Sequence, residues 1–244
     1  MILLRATRTA AAIRVPLQPP FRLPAALPAL RLGCPRLSSS MASSQEPSRR
    51  LHNPAIFVCD LQDKFRNAIW QFDKILLTTQ KVLRAAQLLK IPIFVTTQNA
   101  KRLGDVVPEL LPLIKDAALQ ADKTLFSMMS PEVRAHPFLQ EPGREVVIVG
   151  IESHICVTQT TLDLLALGHR VYVLADGVSS CNEQEVPLAL ARLRAAGAVV
   201  TTSESWMFEV VGDAGIAEFK DFARLVKDTG ADTKASLSGL LSKY

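Results

Sequence analysis

The stretch VVIVGIESHICVTQTTLDLL, residues 146–165, decides the fold prediction because a buried strand in it turns directly into a helix. Cys156 lies at this turn. A thiol there faces backbone N–H groups without an intrahelical partner, and the positive end of the helix dipole favours its thiolate form. The same N–H groups can stabilise an oxyanion. The segment therefore contains a candidate nucleophile, although the usual role of a free cysteine is that of a small buried apolar residue.

Short apolar runs alternate with amphipathic stretches on both sides of this turn. The runs predict strands at 55–60, 91–97, 118–124, 145–151, 170–176 and 198–202, and the longer stretches predict helices at 73–90, 131–139, 155–167, 183–196 and 213–228. Apolar strands that alternate with helices form a parallel sheet with both faces covered. The pattern therefore predicts a three-layer α/β/α fold around a mainly parallel six-stranded sheet.

The composition indicates one globular domain behind a distinct N-terminal segment. Of 244 residues, 48% are hydrophobic and 21% charged, which is typical of a chain with a single large core. Residues 1–40 contain six arginines and no acidic residue, which predicts a mitochondrial transit peptide or a disordered extension. Translation from Met41 would give a cytoplasmic or nuclear form. The predicted domain covers residues 50–228, followed by a short tail at 229–244.

The charge distribution argues against a nucleic-acid-binding face. The six arginines of residues 1–40 contribute a charge of +6, whereas the formal net charge of the chain is +5, so residues 41–244 carry a formal charge of −1.

No apolar run reaches the length of a transmembrane helix. The four cysteines form no CxxC pair, and the four histidines lack close metal-ligand spacing. We therefore expect reduced thiols, no cofactor, and neither nucleic acid nor membrane as a partner.

Three residues with useful chemistry fall at predicted strand ends. Asp60 ends the first strand, Lys123 ends the third, and Cys156 follows the fourth. Ligands of open α/β sheets bind outside the carboxyl ends of the strands, where an acid or base, a cation and a thiol could perform covalent hydrolysis. Asp60 could instead cap a turn, and Lys123 could be a solvated lysine. His154 is an alternative base, although the side chains of residues only two positions apart on a turn, such as His154 and Cys156, often point in different directions.

The segments around these residues resemble motifs of the isochorismatase-like cysteine hydrolase family, which includes nicotinamidases, carbamoylsarcosine amidases and isochorismatases. The resemblance covers roughly residues 53–226. The matching segments are FVCDLQDKF with Asp60, Gln62 and Phe65; DKTLFSMM with Lys123; and GIESHICVTQT with Gly150, Cys156, Val157 and Thr160.

This resemblance implies a Rossmann-like sheet and a catalytic triad of Asp60, Lys123 and Cys156. It also implies a cis peptide bond between Ile151 and Glu152, so that the Glu152 and Cys156 amides form the oxyanion hole. In the implied reaction Asp60 takes the thiol proton, the sulfur attacks a small carboxamide, and water hydrolyses the thioester. A homo-oligomer is a further implication, and a protein partner remains open.

The chain departs from metal-dependent nicotinamidases after the second strand. The segment TTQNAKRLG, residues 96–104, has no His or Asp at the positions that would hold their metal. We therefore expect no catalytic metal, and we expect Gln98 and Phe65 to line the substrate pocket, although core packing explains Phe65 equally well. Two alternatives to an amidase-like enzyme stay open: a vinyl-ether hydrolase of the isochorismatase type, and a non-enzymatic or regulatory binding module on the same fold.

Overall fold

A computed structural model describes residues 50–241 of the chain. The predicted N-terminal extension, residues 1–40, lies outside the described residues. Within them, six strands form one sheet in the order β3-β2-β1-β4-β5-β6, and every pairing between neighbouring strands is parallel. The strands are β1 (Pro54–Cys59), β2 (Ile93–Gln98), β3 (Leu119–Lys123), β4 (Glu145–Ile151), β5 (Arg170–Ser179) and β6 (Val199–Thr201). The predicted mainly parallel sheet is confirmed.

Helices connect the strands and cover the sheet. The longest, α1, follows β1 and buries the apolar face that its spacing predicts, including Ile75, Val82 and Leu83. The helices are α1 (Phe72–Leu89), α2 (Ala100–Leu103), α3 (Leu111–Ile114), α4 (Pro131–Ala135), α5 (Thr158–Ala166), α6 (Glu185–Ala195), α7 (Ser203–Val211), α8 (Phe219–Asp228) and α9 (Gly230–Leu241). Short 3₁₀ turns lie at Asp63–Phe65, Pro108–Leu110 and Pro137–Leu139, and a π-helical turn lies at Ser153–Val157.

The core consists of two apolar clusters, one on each face of the sheet. Successive residues of a strand point to opposite faces, so Ile56 and Val58 enter one cluster whereas Phe57 and Cys59 enter the other. Helices α1, α7, α8 and α9 contribute to the first cluster, and α4, α5 and α6 to the second. This arrangement confirms the predicted three-layer α/β/α architecture.

The C-terminal region differs from the sequence prediction. The structure has three helices, α7, α8 and α9, where the pattern predicted one helix at 213–228 and a tail. Helix α9 replaces most of that tail and packs against α1 through polar contacts: the Lys81 ammonium donates to Thr233 Oγ1 at 2.8 Å, and Ser236 Oγ donates to the Lys74 carbonyl at 3.0 Å. Apolar periodicity detects such a face poorly, because the polar Thr233 and Ser236 are buried beside Leu240.

None of the helices within residues 50–241 combines the length and the apolar character that crossing a bilayer demands.

Candidate active site

The order of the strands predicts a crevice at the carboxyl end of β1. The chain runs outward from β1 through β2 to β3, then returns to β4 on the other side of β1. Such a reversal of strand order creates a cleft at the carboxyl edge of an α/β sheet. Asp60 follows β1, Lys123 is the last residue of β3, and Cys156 lies in the π-helical turn after β4. The sheet therefore directs all three predicted triad positions to one edge.

Asp60 and Lys123 form a buried ion pair at this edge. Lys123 Nζ lies 2.7 Å from Asp60 Oδ2, and the two side chains are 1% and 2% exposed, respectively. Thr96 Oγ1 donates to the other carboxylate oxygen at 2.8 Å. Asp60 itself adopts a left-handed conformation with φ +53°, which an Asp tolerates better than most residues. The carboxylate is thus held by one charged partner and one hydroxyl.

The Lys123 ammonium is surrounded by oxygen atoms. Besides Asp60, it donates to Gln98 Oε1 at 2.6 Å and to the carbonyls of Leu125 and Phe126 at 3.1 and 3.2 Å. Burial lowers the pKa of Lys123, but the acidic groups around it, the Asp60 carboxylate among them, outweigh burial and raise the pKa above its ordinary value. Lys123 is therefore a fixed positive charge and not the solvated lysine of the alternative interpretation.

The thiol of Cys156 joins this pair. Sulfur atoms of Cys156 and Cys59 and a carboxylate oxygen of Asp60 all lie within 4.8 Å of one another. Cys156 is 7% exposed. Thr160 holds its turn, since Thr160 Oγ1 donates to the Cys156 carbonyl at 2.6 Å and accepts from the Met128 amide at 2.8 Å. The structure thus brings together all three residues that the sequence singled out.

Cys59 is a fourth member of the site that sequence reasoning missed. Its thiol contacts Asp60 Oδ2 at 3.6 Å. Burial raises the pKa of Cys59 well above its ordinary value, and a hydrogen bond with Cys156 and the charge of Asp60 act in the same direction. Cys59 therefore stays a thiol and can donate a hydrogen bond. Its position directly before Asp60 in FVCD was the available signal, but the strand pattern marks residue 59 only as part of a buried strand.

The turn before Cys156 has the backbone features that the family resemblance implies. The Ile151–Glu152 peptide bond is cis, which confirms that expectation. Gly150 has φ +114°, and a Cβ atom built on it would lie 2.1 Å from the carbonyl oxygen of Cys59. Only glycine permits this close approach of β4 to β1. The participation of the Glu152 and Cys156 amides in an oxyanion hole remains a prediction.

The other predicted site residues occupy different environments. Gln98 is at the site, because its side chain accepts from Lys123 and donates to the Thr124 carbonyl at 3.0 Å. Phe65 packs partly buried against the first core cluster, so its role in a pocket stays a prediction. His154 Nδ1 lies 2.9 Å from Ser180 Oγ. Since Asp60 is the group clustered with Cys156, the geometry favours Asp60 over His154 as the base.

Comparison with known proteins identifies the class of this fold and site. The isochorismatase domain matches residues 54–205, and the chain belongs to the isochorismatase family. It has the hydrolase fold of that family.

Among individual relatives, the chain is similar to isochorismatase domain-containing protein 2 of Xenopus laevis, with 38% identity over 78% of this chain and 88% of the relative. It resembles the solved structure of MAR1 ribonuclease from Caenorhabditis elegans, with 40% identity, a TM-score of 0.66, and coverage of 72% and 90% of the two chains. An octameric hydrolase of unknown specificity from Escherichia coli shares the fold, with 22% identity, a TM-score of 0.61, and coverage of 82% and 95%.

Proposed function

We propose that the protein is a metal-independent cysteine hydrolase that cleaves a small carboxamide through Cys156, Asp60 and Lys123. One observation carries the proposal: the Cys156 sulfur and an Asp60 carboxylate oxygen lie within 4.8 Å, and Lys123 holds that carboxylate at 2.7 Å. A thiol beside a base that is itself oriented by a third group is the arrangement of an activated nucleophile.

The reaction takes place in two stages. Asp60 accepts the thiol proton as the Cys156 sulfur forms a bond to the carboxamide carbon, and the carbonyl oxygen becomes an oxyanion between the Glu152 and Cys156 amides. The carbon–nitrogen bond then breaks, and Asp60 returns the proton to the leaving amine. Asp60 next takes a proton from water, whose oxygen attacks the thioester. The carboxylic acid leaves, and the thiol is restored.

The contacts of Lys123 and Cys59 support the proposal that both assist this reaction. Lys123 fixes the orientation of Asp60 and keeps positive charge beside the developing thiolate. The Cys59 thiol donates to Asp60 Oδ2 at 3.6 Å and lies within 4.8 Å of the Cys156 sulfur, so it can donate to whichever of the two carries negative charge. Gln98 binds the Lys123 ammonium and directs it toward the crevice.

The proposal includes a homo-oligomer with a small-molecule substrate. Leu125 and Phe126, two and three residues after Lys123, are 51% and 53% exposed, and a neighbouring subunit would cover these apolar side chains. Localisation to mitochondria through residues 1–40, or to the cytoplasm or nucleus after a start at Met41, is also a proposal. Cell fractionation of tagged full-length and Met41-initiated chains tests it.

RNA is a second candidate substrate, favoured by the 40% identity to the C. elegans protein named a ribonuclease. The formal charge of −1 over residues 41–244 opposes it, because phosphate backbones are bound through basic surfaces. Incubation of the protein with single-stranded RNA distinguishes the two candidates. Cleavage of RNA that is lost in Cys156→Ala or Asp60→Asn would replace the carboxamide proposal.

Turnover of a panel of primary carboxamides tests the leading proposal. We expect Cys156→Ala to reduce turnover at least 1000-fold, on the order of the loss of a nucleophile, and Asp60→Asn to reduce it about 100-fold or more. Hydroxylamine should capture the acyl group of the wild-type thioester as a hydroxamate. The control is Leu188→Ala, a substitution of a side chain that is 68% exposed on α6, which should behave as wild type.

Two outcomes would overturn the proposal. Near-wild-type turnover in Cys156→Ala would exclude the thioester and favour the vinyl-ether alternative, in which the sulfur is not required. No turnover of any carboxamide, together with a Cys156 that reacts like an ordinary buried thiol, would favour the binding module.

A further inference from the structure

A second cluster of chemically reactive side chains lies beside the triad but does not take part in the proposed reaction. Ligand atoms of Glu152, His154 and Cys181 all lie within 4.8 Å of one another. Glu152 and His154 belong to the turn after β4, and Cys181 to the loop after β5. Glu152 and His154 are partly exposed, and Cys181 is exposed. The cluster therefore has access to solvent.

Hydrogen bonds hold this cluster in place. The Cys181 amide donates to Glu152 Oε2 at 2.8 Å, which ties the β5 loop to the β4 turn. His154 Nδ1 and Ser180 Oγ lie 2.9 Å apart. When Nδ1 donates in this contact, Nε2 carries the lone pair that a metal ion binds. Ligating carboxylates and imidazoles commonly have such outer hydrogen bonds, which fix the orientation of the ligand and the tautomer.

The three donors form a combination that suits one class of cation. A thiolate, an imidazole and a carboxylate are the ligands of Zn²⁺ and of related thiophilic divalent ions, whereas Mg²⁺ and Ca²⁺ prefer oxygen alone. Three protein ligands leave the fourth tetrahedral position to water or a small molecule. Tetrahedral ligand atoms at Zn²⁺ distances lie roughly 3.5 Å apart, so side-chain rotations that shorten the present separations would complete the site.

We propose that Glu152, His154 and Cys181 bind a Zn²⁺-type cation at the rim of the crevice, separately from the nucleophile. On binding, the Cys181 sulfur bonds to the metal and its proton passes to solvent. The thiolate and the carboxylate then balance the charge of the divalent ion. No electron is transferred. The inference does not depend on the carboxamide proposal, because none of these three side chains supplies the nucleophile or the base.

Electrostatics direct the cation to this cluster and not to the one formed by Cys59, Asp60 and Cys156. The Lys123 ammonium, 2.7 Å from Asp60, would repel a second cation at short range. Those three residues are also buried, with Cys156 the most exposed at 7%. Glu152 and His154 are partly exposed and Cys181 is exposed, so a hydrated cation reaches this cluster without entering the core.

Cobalt binding tests the proposal with a readout that requires no substrate. Titration of the full chain with Co²⁺ should produce a sulfur-to-cobalt charge-transfer band and the visible bands of tetrahedral cobalt. Cys181→Ser should abolish the charge-transfer band, and His154→Ala should weaken Co²⁺ binding at least tenfold. The matched control is Cys156→Ser, which should bind as wild type. Loss of the band in Cys156→Ser and its retention in Cys181→Ser would place the cation at the triad and overturn the proposal.

Protection from alkylation supplies a second test on the unmodified sequence. Zn²⁺ should slow the reaction of Cys181 with iodoacetamide at least tenfold and leave that of Cys156 nearly unchanged, as measured by peptide mass spectrometry. An unchanged Cys181 rate at micromolar Zn²⁺ would overturn the proposal.

Discussion

Replacement of Lys123 by methionine is expected to destabilise the fold strongly as well as remove the positive charge. The Asp60 and Lys123 side chains are 2% and 1% exposed, respectively, so Lys123→Met leaves a carboxylate buried without its cation. Removing one partner of a buried ion pair lowers the free energy of unfolding by about 3–5 kcal/mol. Thr96 Oγ1 still binds the carboxylate at 2.8 Å, and the low end of this range, about 3 kcal/mol, is therefore expected.

A double-mutant cycle isolates the pair itself. Urea unfolding of wild type, Lys123→Met, Asp60→Asn and the double variant gives four free energies of unfolding. The double variant should be more stable than Lys123→Met, because the neutral side chain of Asp60→Asn leaves no buried charge without a partner. We expect a coupling free energy of about 2–3 kcal/mol. A coupling below about 0.5 kcal/mol, the size found for exposed pairs, would refute the buried-pair reasoning.

Gly150→Ala should destabilise the protein by about 3 kcal/mol or more, because the new Cβ would overlap the Cys59 carbonyl. Gly143→Ala, which has φ +80° and nothing within 4 Å of the added Cβ, should cost only about 1 kcal/mol in urea unfolding; equal losses would contradict the steric account. His169→Leu should stabilise by about 1 kcal/mol at neutral pH, since neither ring nitrogen has a hydrogen-bond partner within the described residues. Burial, and then the charge of Arg144, lower the pKa of His169 in the folded protein. As the pH falls from about 6.5 toward that lowered pKa, the unfolded chain therefore binds a proton at this residue before the folded protein does, and the wild type should lose stability. The free energy of unfolding of His169→Leu should fall less than that of the wild type between about pH 7.5 and 5.5. An equal fall in both proteins would contradict the assignment of this pH dependence to His169.

The sheet and the triad positions could be predicted because they depend on local pattern. Apolar runs of strand length mark β1 to β6, and strand ends in a parallel sheet meet at one edge, which is enough to bring Asp60, Lys123 and Cys156 together. The cis peptide bond at Ile151–Glu152 came from the family resemblance alone, since no spacing or composition marks such a bond.

Contacts between distant segments could not be predicted in the same way. The meeting of Cys59 with Cys156, and of Cys181 with Glu152, depends on strand register and loop direction, which a single sequence does not specify. Helix α9 escaped prediction because its buried face combines the polar Thr233 and Ser236 with Leu240.

The rate of Cys156 alkylation by iodoacetamide at neutral pH, with a chelator present, tests the central claim most directly. Peptide mass spectrometry follows Cys156, Cys59 and Cys181 in the same sample. If Cys156 is the activated nucleophile, it reacts faster than the exposed Cys181 although it is 7% exposed, and Cys59 stays unlabelled. A Cys156 that reacts more slowly than Cys181, at a rate similar to that of Cys59, would contradict the account.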